Sequence, residues 1–522
     1  MDVSKIPNNA HPKWWKDPGM RKLAGAMAMG YCATINSGYD GSLVGGLFAL
    51  PRFLAMLAED RDGPLESSII GLVGASLLLG TFGSFLIGPL IADRYGRRVP
   101  ILIGGTIVIA GAFMQTFVRG SAKFIGGRVV MGFGSGLQQV SGTTYVTEVA
   151  HPRFRAQATS LATTTYFVGS IIAAWFTFGT LNINGDWSFK LPVLMQAVPC
   201  SVQIILLLIF CHDDSPRWLV SRGRHEDAVR VLAKFHANGK EDDELVQYEF
   251  LEMKMAIEAE AAATAGTSYL SFFRTPGNRK RLYLLLCIGF SSQWVGNGVI
   301  SYYLPQILST IGITTASAQT GVNGGLSIWS WFAAIFGAMM SERLGRRTLW
   351  LASSCGCLAC YVLITTCSAL FAEKGANAAG RATIAFIYMF NGFYAIGFTA
   401  IGNGLYPLEI LPYGLRTKGF AITGGTSLAA AFFNIYVNPI ALEAIAWKYY
   451  FVFIVVLVAT IANIWFFYPE TAGRSLETIQ ELFDGPGAVT DLVNQELEVH
   501  PEALVHDKKG DADEEQLEYS KQ

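Results

Sequence analysis

Twelve apolar stretches dominate the pattern of hydrophobic and polar positions along the chain. Each has about 20 residues or slightly more, which is the length that a helix needs to cross the hydrocarbon core of a bilayer. They lie at 23–48, 67–91, 99–118, 123–146, 156–178, 190–211, 282–308, 319–341, 348–371, 382–407, 417–437 and 447–468. The run from Ile204 to Phe210 is continuously apolar, whereas a strand of a membrane barrel alternates apolar and polar positions. The pattern predicts an all-α membrane protein with twelve transmembrane helices.

Polar segments divide the predicted spans into two groups of six. Residues 1–22 are polar and precede a full-length span, so we interpret them as an N-terminal segment and not as a cleavable signal. Residues 23–212 and 282–468 are predicted to form two six-helix bundles. Residues 213–281, which are rich in charged side chains and show helical periodicity, predict a helical linker. Residues 469–522 are polar and acidic and predict a mostly disordered tail.

Composition agrees with this layout. The 522 residues are 51% hydrophobic and 15% charged, whereas a soluble domain has about 25% charged residues. With 39 Lys+Arg against 40 Asp+Glu, the chain lacks the basic excess that binds nucleic acid. The Cys and His residues are not spaced as metal ligands, and no nucleophile–base or phosphate-binding motif is present. We therefore expect no enzyme activity, no cofactor, no metal and no nucleic-acid partner.

Basic residues are concentrated on one side of the predicted membrane. Two clusters, at 94–98 and 343–347, lie in the loops after spans two and eight, and further Lys and Arg residues precede span one. The loop after span seven has none. Because basic loops stay in the cytoplasm, both termini are predicted to be cytoplasmic in a multi-pass protein of the cell membrane. We expect a monomer in the lipid bilayer.

Each half of the chain repeats two charged turns. The pattern acid-Arg-x-Gly-Arg-Arg occurs at 93–98 and again at 342–347, and a Glu is followed seven residues later by an Arg after spans four and ten. Carboxylates at helix ends can pair with arginines of neighbouring helices. Such pairs would join helices that separate when the cytoplasmic side opens; the alternative is that the arginines are topology signals only. The predicted gate residues are Asp93, Arg97, Arg98, Glu148, Arg155, Glu342, Arg346, Arg347, Glu409 and Arg416.

Further motifs give the chain a specific resemblance. Residues 128–136 read RVVMGFGSG, residues 214–219 read DSPRWL after span six, and residues 469–471 read PET after span twelve. With the repeated turns, they make the chain resemble a sugar porter of the major facilitator superfamily from about residue 20 to 480. Residues 293–305 are similar to the fungal lactose-permease-like and hexose transporter branch. The resemblance implies two pseudo-symmetric six-helix bundles, an intracellular helical linker and alternating access to a central site.

A buried charge pair is predicted inside the first bundle. Asp40 lies well within span one and Arg128 within span four. A carboxylate near the bilayer centre costs about 2.5–3.5 kcal/mol on insertion scales, so it needs a partner or a function. Asp40 could exchange Arg128 for a proton during transport, or the two could form a static ion pair between helices. The resemblance implies proton coupling, because proton-coupled sugar porters carry Asp at the position matching Asp40.

Polar side chains inside several spans are candidates for a sugar site, because the hydroxyls of a sugar require amide and hydroxyl partners on the protein. Thr163, Tyr166 and Ser170 share one helical face of span five. The predicted substrate-binding residues are Gln293, Ser292, Asn297, Thr163, Tyr166, Ser170, Asn403 and Asn434. Compared with the family, which commonly has two successive Gln at the start of the span-seven motif, this chain has Ser292 and Gln293. The shorter group predicts a wider pocket or a different ligand.

The sequence therefore predicts a proton-coupled symporter for a hexose or a disaccharide. Two alternatives remain open at this point. A uniporter would facilitate sugar diffusion with Asp40 in a structural role. A sensor would bind sugar without transport and would need a long cytoplasmic tail, whereas this tail is short.

Overall fold

The protein is described by a computed structural model covering residues 13–60, 65–264, 266–402, 405–474 and 476–485. Within these ranges the ordered secondary structure is helical. In hydrocarbon a helix satisfies its own backbone donors and acceptors, which explains why the apolar stretches are helices. Two six-helix bundles are joined by a linker of short helices. The linker side is the end of the bundles at which this linker lies, and the opposite end is the outer side.

Eight helices precede the linker. The first bundle consists of α1 (Pro18–Leu47), α2 (Pro51–Ala58), α3 (Ser67–Tyr95), α4 (Arg98–Phe117), α5 (Ser121–Val149), α6 (Arg155–Thr180), α7 (Trp187–Met195) and α8 (Ala197–Phe210). The short helix α2 turns by 88° from α1 on the outer side. Together α7 and α8 form the sixth span.

The linker and the second bundle contain the remaining helices. The linker consists of α9 (Pro216–Ser221), α10 (His225–His236), α11 (Glu244–Thr264) and α12 (Ser271–Arg274). The second bundle consists of α13 (Pro276–Trp294), α14 (Asn297–Thr310), α15 (Ala316–Leu344), α16 (Arg346–Lys374), α17 (Asn377–Tyr394), α18 (Leu405–Glu409), α19 (Arg416–Ile445) and α20 (Tyr450–Phe467). A π-helical segment, Ala395–Gly402, extends α17. The chain then forms α21 (Leu476–Asp484).

The twelve predicted spans correspond to twelve helical units of the described chain. Nine stretches are long and apolar enough to cross a membrane, and the one at Tyr413–Phe467 contains both α19 and α20. The two further units are α1, which reaches the threshold together with α2, and α5, which carries the charged residue Arg128. The predicted twelve-helix fold is confirmed.

Span seven is broken between α13 and α14. Gly296 has φ = +102° at the break, in the left-handed region that glycine adopts without steric cost. Tyr361 from α16 donates a hydrogen bond of 2.7 Å to the Gly296 carbonyl. A Cβ on Gly296 would lie 2.1 Å from this tyrosine hydroxyl. The inner and outer parts of span seven therefore meet at a joint held by a neighbouring helix.

Small residues bring α1 and α6 into direct backbone contact. A Cβ on Gly38 would lie 1.8 Å from the Tyr166 carbonyl oxygen, and one on Gly169 would lie 1.9 Å from that of Ile35. Association of helices in lipid depends on such close packing, because lipid tails are as apolar as the side chains. This contact sets the position of the polar face of α6 beside Asp40.

The predicted tail is partly ordered. Arg281 on α13 is fully buried and donates to both carboxylate oxygens of Asp484 on α21, at 3.0 and 2.7 Å. The guanidinium also lies 4.7 Å from the centre of the Phe483 ring. The prediction of a mostly disordered tail did not anticipate α21, which is held by the charge-assisted pair with Arg281 and by ring packing. The rest of the predicted tail, 486–522, lies outside the described residues.

Candidate functional site

A cavity of about 440 Å³ lies between the two bundles. Its lining contains hydroxyls, amides and aromatic rings but, in the part of the chain that the structure describes, no charged side chain. On its outer side, the rings of Phe48 and Tyr303 stack with centroids 5.9 Å apart. A Cβ on Gly45 would lie 2.6 Å from the Ser301 carbonyl oxygen. The bundles are thus in close contact at the outer side of the cavity.

The second bundle contributes most of the amides. Asn297 Nδ2 donates to Tyr394 Oη at 2.9 Å, and this hydroxyl donates to the Ser292 carbonyl at 2.9 Å. Asn391 Nδ2 donates to Ser330 Oγ at 2.9 Å. These bonds hold three polar side chains of the lining in fixed orientations.

Gln293 lies at the joint of span seven, and its side-chain Nε2 donates to Ser427 Oγ at 3.2 Å. Ser292 is buried behind it, and its hydroxyl lies 3.1 Å from the same Ser427 hydroxyl. Gln293 lines the cavity whereas Ser292 does not. Of the three predicted span-seven residues, Gln293 and Asn297 line the cavity, and Ser292 supports the position of Gln293.

The first bundle contributes the predicted face of α6. Thr163, Tyr166 and Ser170 all line the cavity. The Ser170 hydroxyl lies 3.2 Å from that of Ser327 on α15 and donates to it. This hydrogen bond joins the two bundles across the lining.

Two amide groups of the lining have an unpartnered atom. Asn297 Oδ1 and Asn323 Nδ2 are both buried and have no hydrogen-bond partner in the described chain. One is an acceptor and the other a donor. An unpaired buried polar group costs about 1–3 kcal/mol. A polyhydroxylated ligand has the donors and acceptors to satisfy both.

Two further substrate-binding residues were predicted, Asn403 on span ten and Asn434 on span eleven. Asn403 lies outside the described residues. Asn434 does not line the cavity; it is buried in α19, where its Oδ1 accepts a 3.0 Å hydrogen bond from Asn438. Its polar partner is thus one turn away on its own helix.

Sequence reasoning missed several lining residues. These are Thr34, Gln139, Thr143, Asn323, Ser327, Asn391 and Tyr394. On α15, Asn323, Ser327 and Ser330 recur at helical spacing and share one face, which was a readable signal. On α5, Gln139 and Thr143 are likewise one turn apart.

Asp40 and Arg128 lie behind the cavity in the first bundle. Asp40 is 0% exposed and Arg128 is 1% exposed. They are electrostatic neighbours, but their charged atoms do not approach within the 4.0 Å of an ion pair. Asp40 Oδ1 and the Nε and Nη1 of Arg128 have no hydrogen-bond partner among the described residues. The adjacent residues Gly41 and Ser42 line the cavity, so Asp40 is one residue away from it.

The repeated turn on the linker side forms an Arg–Glu pair in both bundles. Arg97 donates to both oxygens of Glu148, at 3.0 and 3.2 Å. In the second bundle, Arg346 donates to Glu409 at 3.1 and 3.3 Å. Each pair joins helices of one bundle, which differs from the predicted pairing of helices that separate. The physical reason is that each Arg lies directly after a tight turn, so its side chain reaches a helix of the same bundle.

A second acid completes each turn. The Asp214 carboxylate accepts from the backbone N–H groups of Arg97 and Arg98, at 2.7 and 3.4 Å. The equivalent bonds of the second bundle, to Arg346 and Arg347, are 2.8 and 3.0 Å long and end on the Glu470 carboxylate. An acid at this position satisfies free N–H groups and complements the positive end of the helix dipole.

Glycine is required at each of these turns. Gly96 and Gly345 have φ of +90° and +84°. A Cβ on Gly96 would lie 1.9 Å from an Asp214 oxygen, and one on Gly345 would lie 2.7 Å from a Glu470 oxygen. Both the backbone angle and the approaching carboxylate exclude a side chain.

The other predicted gate residues are not in the two Arg–Glu pairs. Asp93 approaches Arg97 at 3.5 Å from an exposed position. Arg98 and Arg347 donate to backbone carbonyls, those of His212 and Trp465.

Arg155 and Arg416 form no ion pair with a described carboxylate within 4.0 Å. Arg416 packs over the Tyr413 ring and donates to the Leu411 carbonyl at 3.4 Å. The side chain of Glu342 lies outside the described part.

A histidine cluster, not predicted from the sequence, docks the linker onto the first bundle. His236 on α10 lies 3.0 Å from Glu249 of α11, and its other ring nitrogen lies 3.0 Å from the Val149 carbonyl at the end of α5. The His151 ring lies 5.0 Å from that of His236. Burial, aided by His236 and by the positive charges of two neighbouring arginines, lowers the pKa of His151 to about 3. His151 is therefore neutral at physiological pH.

Comparison with known proteins agrees with this geometry. The model of the family described as "Sugar (and other) transporter" matches residues 26–483. The chain belongs to the sugar (and other) transporter family. Membership of this family identifies it as a multi-pass membrane transporter rather than an enzyme, as predicted.

Individual relatives of the transporter are of modest identity. The MFS-type transporter oryC of Aspergillus oryzae is 28% identical over 466 residues, covering 87% of this chain and 84% of the relative. The high-affinity glucose transporter of Kluyveromyces lactis is 29% identical over 442 residues, covering 80% and 78%. The inward-open structure of the xylose transporter XylE from E. coli, also described as a proton:xylose symporter, has a TM-score of 0.72 at 18% identity, covering 88% of this chain and 100% of that chain. This likeness confirms the fold.

Proposed function

We propose that the protein is a proton-coupled symporter for a neutral sugar, a hexose or a disaccharide, working by alternating access. The observation that carries this proposal is the separation of two chemistries. An uncharged, hydrogen-bonding cavity lies between the bundles, and a buried carboxylate lies one residue behind its lining. In this proposal the linker side is cytoplasmic, and the protein is a monomer in the cell membrane.

The cavity suits a neutral polyhydroxylated ligand. Its lining has amides and hydroxyls from both bundles and lacks, among the described residues, a cation that would pair with a carboxylate substrate. Two relatives support a sugar by their printed names, the glucose transporter and the proton:xylose symporter. Gln293, Asn297, Thr163, Tyr166 and Ser170 are the proposed ligand contacts.

Proton coupling is assigned to Asp40 and Arg128. Both are fully buried and close enough to interact, yet each has polar atoms without a partner. Such an arrangement can respond to a proton, because protonation of Asp40 removes the attraction for Arg128. A static pair would instead be closed by direct bidentate contact. The linker-side pairs of Arg97 and Arg346 are proposed to keep each bundle rigid while the bundles rock.

The test is uptake of labelled hexoses, pentoses and disaccharides into cells lacking their own sugar transporters, with and without a proton uncoupler. Asp40→Asn is expected to abolish uphill accumulation while sparing sugar exchange. Asp227→Asn, which alters an acid of the linker that pairs with Arg224 and Arg230, is the matched control and should accumulate sugar normally. Full accumulation by Asp40→Asn would exclude Asp40 as the coupling residue, whereas wild-type uptake that does not respond to the uncoupler would leave a uniporter as the function. Sugar binding without any flux would indicate a sensor.

A further inference from the structure

Asp40 has a polar partner on its own helix. Asn36 lies one turn earlier in α1, and its Nδ2 donates to Asp40 Oδ2 at 3.0 Å. Both side chains are 0% exposed. Asn36 does not line the cavity, so contact with the ligand does not explain a polar side chain at this depth. Burying an amide without need is costly in a membrane.

We propose that Asn36 is a positioning residue for proton transfer at Asp40, serving the carboxylate as a donor and the carboxylic acid as an acceptor. The inference rests on the proposed symport function and names a further residue of the same site. Arg128, held beyond 4.0 Å, would then act on Asp40 through charge, while Asn36 acts through a direct hydrogen bond.

An amide suits this role because it has both kinds of polar atom. Its NH₂ group donates two hydrogen bonds and its carbonyl oxygen accepts. When Asp40 is ionised, Nδ2 donates to the carboxylate, as in the structure. When Asp40 binds a proton from a hydronium ion, which leaves as water, the new O–H needs an acceptor. A half-turn of the Asn36 amide presents Oδ1, which has no partner among the described groups.

Two polar side chains face Asp40 from α5. The Arg128 guanidinium can only donate, whereas the Ser135 hydroxyl interacts with Asp40 and can both donate and accept. Tyr166 on α6, Cys200 on α8 and Tyr302 on α14 are the titratable neighbours from the other packed helices, and Tyr39 precedes Asp40 in the chain. The amide of Asn36 is a neutral group already in hydrogen-bond contact with Asp40.

The experiment measures the pH dependence of proton-driven sugar uptake in the full-length transporter. Asn36→Leu and Asn36→Ala both remove the amide, and each should displace the midpoint of the pH profile by about half to one pH unit, because the hydrogen bond lost from the charged carboxylate is stronger than the one lost from the neutral acid. Asn36→Gln keeps the amide and should return the midpoint towards the wild-type value. Asn438→Leu breaks a buried amide pair of the same spacing in α19 and should leave the midpoint unchanged.

The outcomes separate this inference from the proposed function. Thermal unfolding of each purified variant identifies any that is misfolded, and the alanine variant replaces the leucine variant in that case. A wild-type midpoint in a folded variant without the amide would overturn the inference, as would an equal displacement in Asn438→Leu. If Asp40→Asn, assayed in parallel, retained uphill uptake, the assignment of proton coupling to Asp40 would fail, and if wild-type uptake did not respond to a proton uncoupler, the symport proposal itself would fail. If Asp40→Asn lost uphill uptake while Asn36→Leu kept the wild-type profile, only the role of Asn36 would fail.

Discussion

The two bundles have the same ion-pair arrangement on the linker side and different chemistry in the bilayer. Arg97 with Glu148 and Arg346 with Glu409 form matching pairs. Twenty residues before Glu148 the chain has Arg128, whereas twenty residues before Glu409 it has Met389. The two halves thus share the turn but differ in their interior residues.

This difference indicates that the two bundles contribute different chemical groups. The first bundle contains the buried Asp40 and Arg128 beside the cavity, and the second supplies the amides of Gln293, Asn297, Asn323 and Asn391. In the proposed function, the shared turns keep each bundle rigid, and the residues by which the two halves differ carry the ligand and the proton.

The largest effect is expected when the first bundle is made to resemble the second at this position. Arg128→Met leaves Asp40 buried without its opposite charge, and breaking a buried charge pair costs about 3–5 kcal/mol. Thermal unfolding of the purified protein should detect this loss of stability. The double variant Asp40→Asn/Arg128→Met should recover most of it, because the remaining group is neutral. Equal stability of the single variant and the wild type would contradict the proposed interaction.

The shared turn should respond equally in both bundles. Gly96→Ala and Gly345→Ala each introduce a Cβ at positive φ and against a carboxylate oxygen, and we expect each to lower the free energy of unfolding by about 1–3 kcal/mol. Gly179→Ala, whose Cβ would meet no atom within 4 Å, is the control. A large effect in one bundle only would show that the two turns are not equivalent.

A loss of folding stability at acidic pH should arise in the first bundle. His151 follows Glu148 by three residues, whereas Pro412 holds the same place after Glu409. The unfolded chain binds a proton at this histidine below about pH 6.5, but in the folded protein its pKa is about 3. The unfolded state therefore binds more protons, and stability falls as the pH is lowered through this window, by about 1.4 kcal/mol per pH unit.

This dependence can be measured by comparing thermal unfolding at pH 7 and pH 5. His151→Gln should lose about 2 kcal/mol less than the wild type over this interval. His212→Gln, which alters an exposed histidine of the same side, should behave as the wild type does. Identical pH dependence in His151→Gln and the wild type would contradict the buried neutral state of His151.

The smallest effect is expected in ligand affinity. Gln293→Ala in the second bundle should raise the half-saturation concentration for sugar about five- to tenfold, the cost of about one hydrogen bond. Thr163→Ala, on the first bundle's face of the cavity, should raise it less, because a hydroxyl offers one donor where an amide offers two. A larger effect of Thr163→Ala in the uptake assay would move the main ligand contacts to the first bundle.

The sequence was sufficient to predict the helices and the repetition of the charged turns in both halves, because apolar length and turn motifs are local signals. Gln293 and the face of α6 were found in the same way, from spacing along a single helix. Asn391 and Tyr394 could not be found from spacing along one helix, because the direction in which their side chains point depends on how α17 packs against α14 and α15. Asn434 was misplaced as a lining residue because a buried amide can pair within its own helix, as the Asn434 Oδ1 does by accepting from Asn438.

The capped turns have a consequence for biosynthesis. The Arg97 backbone reaches Asp214 across 117 residues, and the Arg346 backbone reaches Glu470 across 124. The turn of the first bundle cannot be completed until the ribosome has translated past the sixth span, and the turn of the second bundle cannot be completed until it has translated past the twelfth. It follows that the first bundle can finish assembling while the second is still being made. A chain truncated before Glu470 would enter the bilayer with the turn of its first bundle capped and the turn of its second bundle uncapped.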